Sequence, residues 1–267
     1  MKAYNSKHPS SNSASFSSSI FRSPHFSKSW KVADKDMRRL MYYDFESRSD
    51  VLKLPREYYG PAKIIDLYDQ YQIIIPISKY ESISYLKNFY SDMNILTFCD
   101  FDDDRPECDI RSHQNYDYIH LSNKTLDMFD FACKNLPGYK FYAKMDFDTY
   151  VDKSYLSGVI KFIADNADKN IYYGNPILRH GRVFNGGNFY ALSGSLFRDY
   201  CSCNIHLPKN YNEDEWFGDV LNRCFYSKNP HGTNLYYMYN DMNKILHKSF
   251  TDGGVSITLG NQTRVYV

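Results

Sequence analysis

The sequence predicts an α/β fold in which a mostly parallel central sheet is flanked by helices. Short, continuously apolar runs such as QIIIPIS, residues 72–78, are typical of strands that are covered on both faces. Segments with apolar residues at helical spacing alternate with these runs along the chain, which favours a parallel sheet. At 267 residues, one large domain with a complete core is the default interpretation.

The first half of the chain divides into a tail and two strand–helix pairs. Residues 1–29 are predicted to be a disordered tail, because serine supplies eleven of the first thirty residues, and the folded domain is predicted over 30–267. A short helix is expected in 32–43. QIIIPIS and 94–101 are then predicted as strands and 83–90 as a helix, followed by a helix that Ser122 caps and Pro137-Gly138 ends.

The second half continues the alternation. The segment KFYAKM, residues 140–145, is predicted as a strand, and the helix after it presents Leu156, Val159, Ile160 and Ile163 on one side. The segments 170–176 and 182–192 are predicted as strands, and 213–224 as a helix. The second of these strands contains Gly186-Gly187, where backbone or ligand must come close.

The composition excludes some classes of function. Lysine and arginine (32) almost cancel aspartate and glutamate (31), so no global field favours binding to nucleic acid. The sequence has no run of 18 apolar residues and no apolar signal core, so we expect no transmembrane segment in this chain. The six cysteines contain no CxxC pair, which leaves disulfides and buried free thiols as open alternatives.

Asp146 and Asp148 follow directly after the predicted strand 140–145. Ligands of open α/β sheets bind outside the carboxyl ends of the strands, where these two residues are predicted to lie. Two carboxylates one residue apart can share Mg²⁺ or Mn²⁺, and such an ion often completes its shell with phosphate oxygens. The pair therefore indicates a nucleotide-linked substrate; the alternative is a solvated turn or helix cap.

A phosphatase of the haloacid dehalogenase type is disfavoured by the residues around the pair. That pattern has Thr or Val two positions beyond the second Asp, whereas Tyr150 stands there and Thr149 comes one residue too early. Lys144 also interrupts the apolar strand. The acidic run Asp102 to Asp104 is interpreted as solvated surface.

Four motifs carry a family resemblance, from about Tyr116 to Phe250. HLSNKTL (120–126) resembles N-L-T-L-K-T-L, KMDFDTYV (144–151) resembles K-T-D-D-D-V-F-V, FNGGNFYALS (184–193) resembles S-G-G-G-Y-V-L-S, and LPKNYNEDEWFG (207–218) resembles L-P-L-E-D-V-Y-V-G. The chain thus resembles the β-1,3-galactosyltransferase-like glycosyltransferases, which include the fringe and β-1,3-N-acetylglucosaminyltransferase enzymes. Phe147 replaces the family's middle Asp, and Arg38-Arg39 match its N-terminal motif poorly.

The resemblance implies a nucleotide-sugar-binding fold of the GT-A type, Mn²⁺ or Mg²⁺, and inverting transfer from a UDP-sugar to a glycan or glycoprotein acceptor in the Golgi lumen. It implies that Asp148 binds the metal directly, that Asp146 lies near the ribose or a metal-bound water, and that His247 joins the metal shell. Asp214 would be the general base. The residues expected to bind the donor are Asp146, Asp148, Lys144, Gly186 and Gly187.

Two further alternatives remain open at this stage. Glu213, Asp214 and Glu215 would also suit a helix N-terminus that serves only stability. The chain could likewise keep the fold as a catalytically inactive binding or chaperone protein, which the missing middle Asp favours.

Overall fold

The computed structural model describes residues 51–60, 62–136, 138–179, 182–206, 212–228 and 234–247. The predicted tail 1–29 and the predicted helix 32–43 lie outside these residues.

The strands, numbered along the described chain, are β1 Val51–Leu52, β2 Tyr71–Pro76, β3 Ile95–Cys99, β4 Ile110–Arg111, β5 Phe141–Met145, β6 Thr149–Val151, β7 Asn170–Arg179, β8 Arg182–Ser193, β9 Leu235–Tyr239 and β10 Ile245–His247. The α-helices are α1 Ile83–Phe89, α2 Leu121–Asn135, α3 Lys153–Asp165, α4 Gly194–Cys201 and α5 Glu213–Lys228. Short 3-10 turns occupy Arg56–Tyr58, Ile64–Leu67 and Tyr118–His120.

Eight of these strands form one sheet in the order β1-β9-β7-β8-β5-β2-β3-β4. Only β8 runs antiparallel to its two neighbours, and the other pairings are parallel. The α/β class and the mostly parallel sheet are therefore confirmed. β6 and β10 form a separate antiparallel ribbon beside the carboxyl end of β5.

The strands are covered on both faces, as the apolar run of β2 predicted. Ile73 and Ile75 pack into one core with α1 and α3, whereas Ile74 packs into the other core with α2, α4 and α5. All six residues of β2 are buried, because a strand in the middle of a three-layer fold has no solvent face.

Aromatic rings fill the core between the sheet and the helices α2, α4 and α5. The ring of Phe217 stacks on Tyr190 at 4.6 Å and on Phe129 at 4.9 Å between centroids. Such contacts add to the roughly 1.5–3 kcal/mol gained by burying each large side chain. Among the tyrosines that the structure describes, seven are fully buried: Tyr71, Tyr90, Tyr172, Tyr173, Tyr190, Tyr200 and Tyr237. Much of the tyrosine excess therefore serves packing.

The predicted start of the helix at Ser122 is wrong. Ser122 lies inside α2 and is buried, because the chain turns into this helix earlier, through the 3-10 turn Tyr118–His120. Asp117 caps that turn by accepting a hydrogen bond from the backbone N–H of His120 at 2.9 Å.

All six cysteines form disulfides, which decides between the alternatives left open by their spacing. Cys133–Cys201 joins α2 to the end of α4, and Cys203–Cys224 joins the segment after α4 to α5. Cys99–Cys108 closes a short loop after β3. Among the described helices, none has the length and apolarity needed to cross a bilayer.

Candidate active site

The turn with Asp146 and Asp148 lies at the carboxyl end of β5 and is held firmly to β8. The carbonyl of Asn188 in β8 accepts hydrogen bonds from the backbone N–H of Asp146 at 2.9 Å and from the Thr149 hydroxyl at 2.8 Å. Phe147 is buried in the core, so an apolar side chain anchors the turn between its two acids. Asp148 is also buried, with 5% of its surface exposed.

Lys144 is fully buried at the centre of the site. Its ammonium donates to the Gly187 carbonyl at 2.6 Å and forms ion pairs with Asp146 Oδ1 at 2.6 Å and Glu213 Oε2 at 3.3 Å. Burial alone would lower the pKa of Lys144, but the negative charges of Asp146 and Glu213 outweigh burial and raise this pKa. The lysine is therefore a buried cation that joins β5, β8 and α5.

Glu213 begins α5 and is buried against the sheet. The Tyr190 hydroxyl donates to Glu213 Oε1 at 2.6 Å, and the Lys144 ammonium lies 5.6 Å from the centre of the Tyr190 ring. Burial raises the pKa of Glu213, while the nearby Lys144 charge limits the rise. Both carboxylate oxygens thus have partners inside the protein.

Asp214, the next residue of α5, is half-buried. Its carboxylate accepts a hydrogen bond from the backbone N–H of Glu215 at 2.8 Å, and the backbone N–H of Gly187 also favours its charged form. Burial nevertheless dominates and raises the pKa of Asp214.

The two glycines of β8 have different surroundings, and neither belongs to a turn. A Cβ atom on Gly187 would lie 3.1 Å from Glu213 Oε2 and 3.6 Å from both Asp214 Cβ and Lys144 Nζ. A Cβ atom on Gly186 would instead meet Ile177 of β7 at 3.2 Å. Gly187 is therefore the glycine that lets the strand approach the charged cluster.

His247 lies beside the Asp146–Asp148 turn in the backbone register. In the ribbon of β6 and β10, His247 pairs with Thr149, the residue that follows Asp148. The described structure thus brings the backbone of His247 next to the turn across almost 100 residues of sequence.

Lys144, Asp146, Gly187 and Asp214 come together around one point, and Glu213 completes the cluster. Sequence reasoning treated Glu213 only as part of a helix N-terminus and missed its link to Lys144, which lies 69 positions earlier. Tyr190 was missed for the same reason.

The acidic run Asp102 to Asp104 is partly different from the prediction. Asp103 is buried and forms an ion pair with Arg105 at 2.5 Å. The hydrogen bond from Arg105 lowers the pKa of Asp103. Asp102 is exposed, as expected, with Lys79 at 3.1 Å. Asp103 is therefore a buried structural residue of its loop and not part of the solvated surface.

The mostly parallel sheet, its two helical layers and the acidic turn at its carboxyl edge are consistent with one class of protein, the glycosyltransferases of the GT-A fold. Residues 109–186 match the galactosyltransferase family, a stretch that runs from just before β4 to Gly186 and includes both aspartates of the turn. This part of the chain is therefore similar to the galactosyltransferases. The match supports glycosyltransferase activity in general, which implies a sugar donor and an acceptor. No curated protein matches the chain significantly.

Proposed function

We propose that this protein is an inverting glycosyltransferase that moves a hexose or N-acetylhexosamine from a UDP-sugar to a glycan hydroxyl, with the help of Mn²⁺ or Mg²⁺. Galactose is the donor sugar by analogy with the family. The observation that carries the proposal is the buried Lys144, because its contacts bring the Asp146–Asp148 turn, Gly187 and the start of α5 with Asp214 into one cluster.

The residues of the turn fit a hard divalent cation. Lys144 already balances the charge of Asp146, so Asp148 is the carboxylate best suited to hold the ion directly, with His247 as a further candidate ligand. Mg²⁺ and Mn²⁺ need only one or two protein carboxylates when phosphate oxygens fill the remaining positions. When bound, the ion would neutralise negative charge on the diphosphate.

Asp214 is the proposed general base. It would accept the proton of the acceptor hydroxyl as that oxygen attacks the anomeric carbon, and a single displacement inverts the configuration there. Burial raises the pKa of Asp214, which makes its carboxylate a better proton acceptor than an exposed aspartate. The two backbone N–H groups around it fix its orientation.

Lys144 and Glu213 are proposed to position this machinery. The Lys144 ammonium is fully buried and contacts protein groups on three elements, so its role is to hold Asp146 and the start of α5 in register. Glu213 in turn fixes that ammonium and the Tyr190 hydroxyl. Donor binding would then fall to the turn and to the backbone around Gly187.

The three disulfides support a place in an oxidising compartment such as the secretory pathway. We therefore include the Golgi lumen, where the family normally works, in the proposal.

The decisive experiment compares Asp148→Asn and Asp214→Asn proteins in transfer from UDP-galactose to a panel of glycan acceptors, with and without Mn²⁺. We expect both variants to lose at least about a hundredfold in rate. Asp102→Asn, which alters an exposed, ion-paired aspartate, is the matched control and should keep full activity. The product's anomeric configuration, read by NMR, checks inversion.

A binding readout separates the metal role from the base role. Thermal unfolding with UDP and Mn²⁺ should show stabilisation in the native and Asp214→Asn proteins and much less in Asp148→Asn. Glycan binding without turnover under every donor tested would instead support the inactive binding protein, which the buried Phe147 in place of an acid favours.

A further inference from the structure

A second cleft lies at the same edge of the sheet but away from the Lys144 cluster. Its volume is about 640 Å³, within the range of small-molecule sites. The residues that line it include Lys53, Arg56, Tyr59, Tyr155, Tyr239 and Asn240. It opens where β9 ends and α3 begins, and β9 is three strands from β5 in the sheet, about 14 Å at normal strand spacing.

The floor of the cleft carries a buried amide. Asn240 is 8% exposed, and neither its Oδ1 nor its Nδ2 has a hydrogen-bond partner among the described residues. Leaving a buried amide unsatisfied costs free energy, so such a group inside a cleft points to a ligand that hydrogen-bonds to it. An amide offers both donors and an acceptor, which matches the hydroxyl groups of a sugar.

The walls and the rim have different chemistry. Tyr59 and Tyr155 lie on one side with ring centroids 6.0 Å apart, and both line the cleft. Flat aromatic rings suit the apolar face of a sugar. Lys53 and Arg56 are exposed at the rim, where they can pair with an acidic substituent in a solvated position.

The backbone of the cleft does not favour a phosphate. The N–H of Asn240 donates to the Gly174 carbonyl at 2.8 Å, and the N–H of Asp241 donates to the Tyr155 hydroxyl at 2.9 Å. Phosphate sites of nucleotides commonly use such backbone donors, and here these two are already engaged. The Asp241 side chain, which also lines the cleft, offsets one of the two positive charges of Lys53 and Arg56. The lining can therefore balance a single carboxylate but not the several negative charges of a diphosphate.

We propose that this cleft is a second carbohydrate-binding site, which holds a sugar ring that carries an acidic group. Ring hydroxyls would bond to Asn240, the ring face would lie against the tyrosines, and the acid would pair with Lys53 or Arg56. In naming acidic glycans as a class of acceptor, the inference rests on the proposed glycosyltransferase activity, but the binding itself does not require turnover.

Calorimetric titration of the full chain tests the proposal, with a glucuronic acid–galactose disaccharide as ligand and lactose as its neutral counterpart. We expect the acidic disaccharide to bind at least about tenfold more tightly than lactose. The double variant Lys53→Gln with Arg56→Gln should remove this difference. The matched double variant Lys161→Gln with Arg179→Gln changes exposed cations elsewhere and should leave it intact.

Asn240→Ala distinguishes a ligand role from a structural role. It should weaken binding of both disaccharides about tenfold while leaving the unfolding temperature equal or higher, because the amide has no partner in the described structure. A native protein that binds neither disaccharide, or variants that bind unchanged, would overturn the proposal. Displacement of the disaccharide by UDP alone would do so as well.

The proposed transfer reaction and the proposed sugar binding in the second cleft can be tested independently. Asp214→Asn should abolish transfer and leave disaccharide binding in the cleft unchanged, so loss of one result does not decide the other.

Discussion

Replacing Lys144 by methionine tests whether the buried cation holds the site together. The variant leaves the Glu213 carboxylate, whose side chain is 4% exposed, and the Asp146 carboxylate, 26% exposed, without their shared positive partner. Removing one partner of a buried ion pair typically costs about 3–5 kcal/mol of folding free energy. We expect about 3 kcal/mol at pH 7, because Glu213 can take up a proton and Asp146 retains some solvent.

Urea unfolding at several pH values provides the assay. The loss should be larger at pH 8 than at pH 5, since protonation of Glu213 relieves the unpaired charge. The double variant Lys144→Met with Glu213→Gln should recover at least about 1 kcal/mol of the loss. Lys161→Met, which breaks an exposed pair with Asp165, is the control and should cost no more than about 0.5 kcal/mol. A loss below about 1 kcal/mol at pH 8, or no recovery in the double variant, would refute the reasoning.

Three other predictions concern the same layer of the molecule. Gly187→Ala places a methyl group 3.1 Å from Glu213 Oε2. The rate of transfer should therefore fall about tenfold, while the free energy of unfolding in urea changes by less than about 1 kcal/mol. An unchanged rate would contradict the close approach. Burial raises the folded pKa of Glu213 above 4.5, so the folded state binds this proton more readily than the unfolded state. The free energy of unfolding of the native protein should therefore fall, relative to that of Glu213→Gln, as pH rises from 4.5 through the folded pKa. Parallel pH profiles of unfolding free energy for the two proteins would count against the shift. Replacing Cys133 and Cys201 by serine opens a loop of 68 residues and should cost about 4 kcal/mol in urea unfolding, with a cost below about 1 kcal/mol pointing to residual order in the unfolded chain.

The longer elements were predictable because the apolar pattern within each of them indicates which residues are buried. The runs in β2, β3 and β5 are short and mostly apolar, although Thr97 lies in β3 and Lys144 in β5. The apolar spacing of α3 and α5 marks their inner faces. The two-residue strands β1 and β4 and the three-residue strands β6 and β10 exist only through their partners, so no local pattern reveals them. The helix α4 was also missed, although Ser193 caps it by accepting from the Leu196 N–H.

The candidate site was predictable only in part. Asp146, Asp148 and Asp214 stand in recognisable motifs, whereas the pairing of Lys144 with Glu213 joins two motifs through the fold. Lys144 in an apolar strand gave a usable signal, because a buried lysine requires an anionic partner. The sequence did not indicate which aspartate or glutamate is the anionic partner of Lys144.

Two of the disulfides have a consequence for the order in which the protein opens. They connect α2, α4 and α5 into one covalently joined layer, whereas α1 and α3 on the opposite face of the sheet contribute no cysteine. Fluctuations should therefore detach the α1 and α3 layer first, and amide protons there should exchange with solvent sooner than those of the joined helices. In a reducing buffer the difference in amide exchange between the two helical layers should become smaller, because the disulfides that stabilise one layer are then broken.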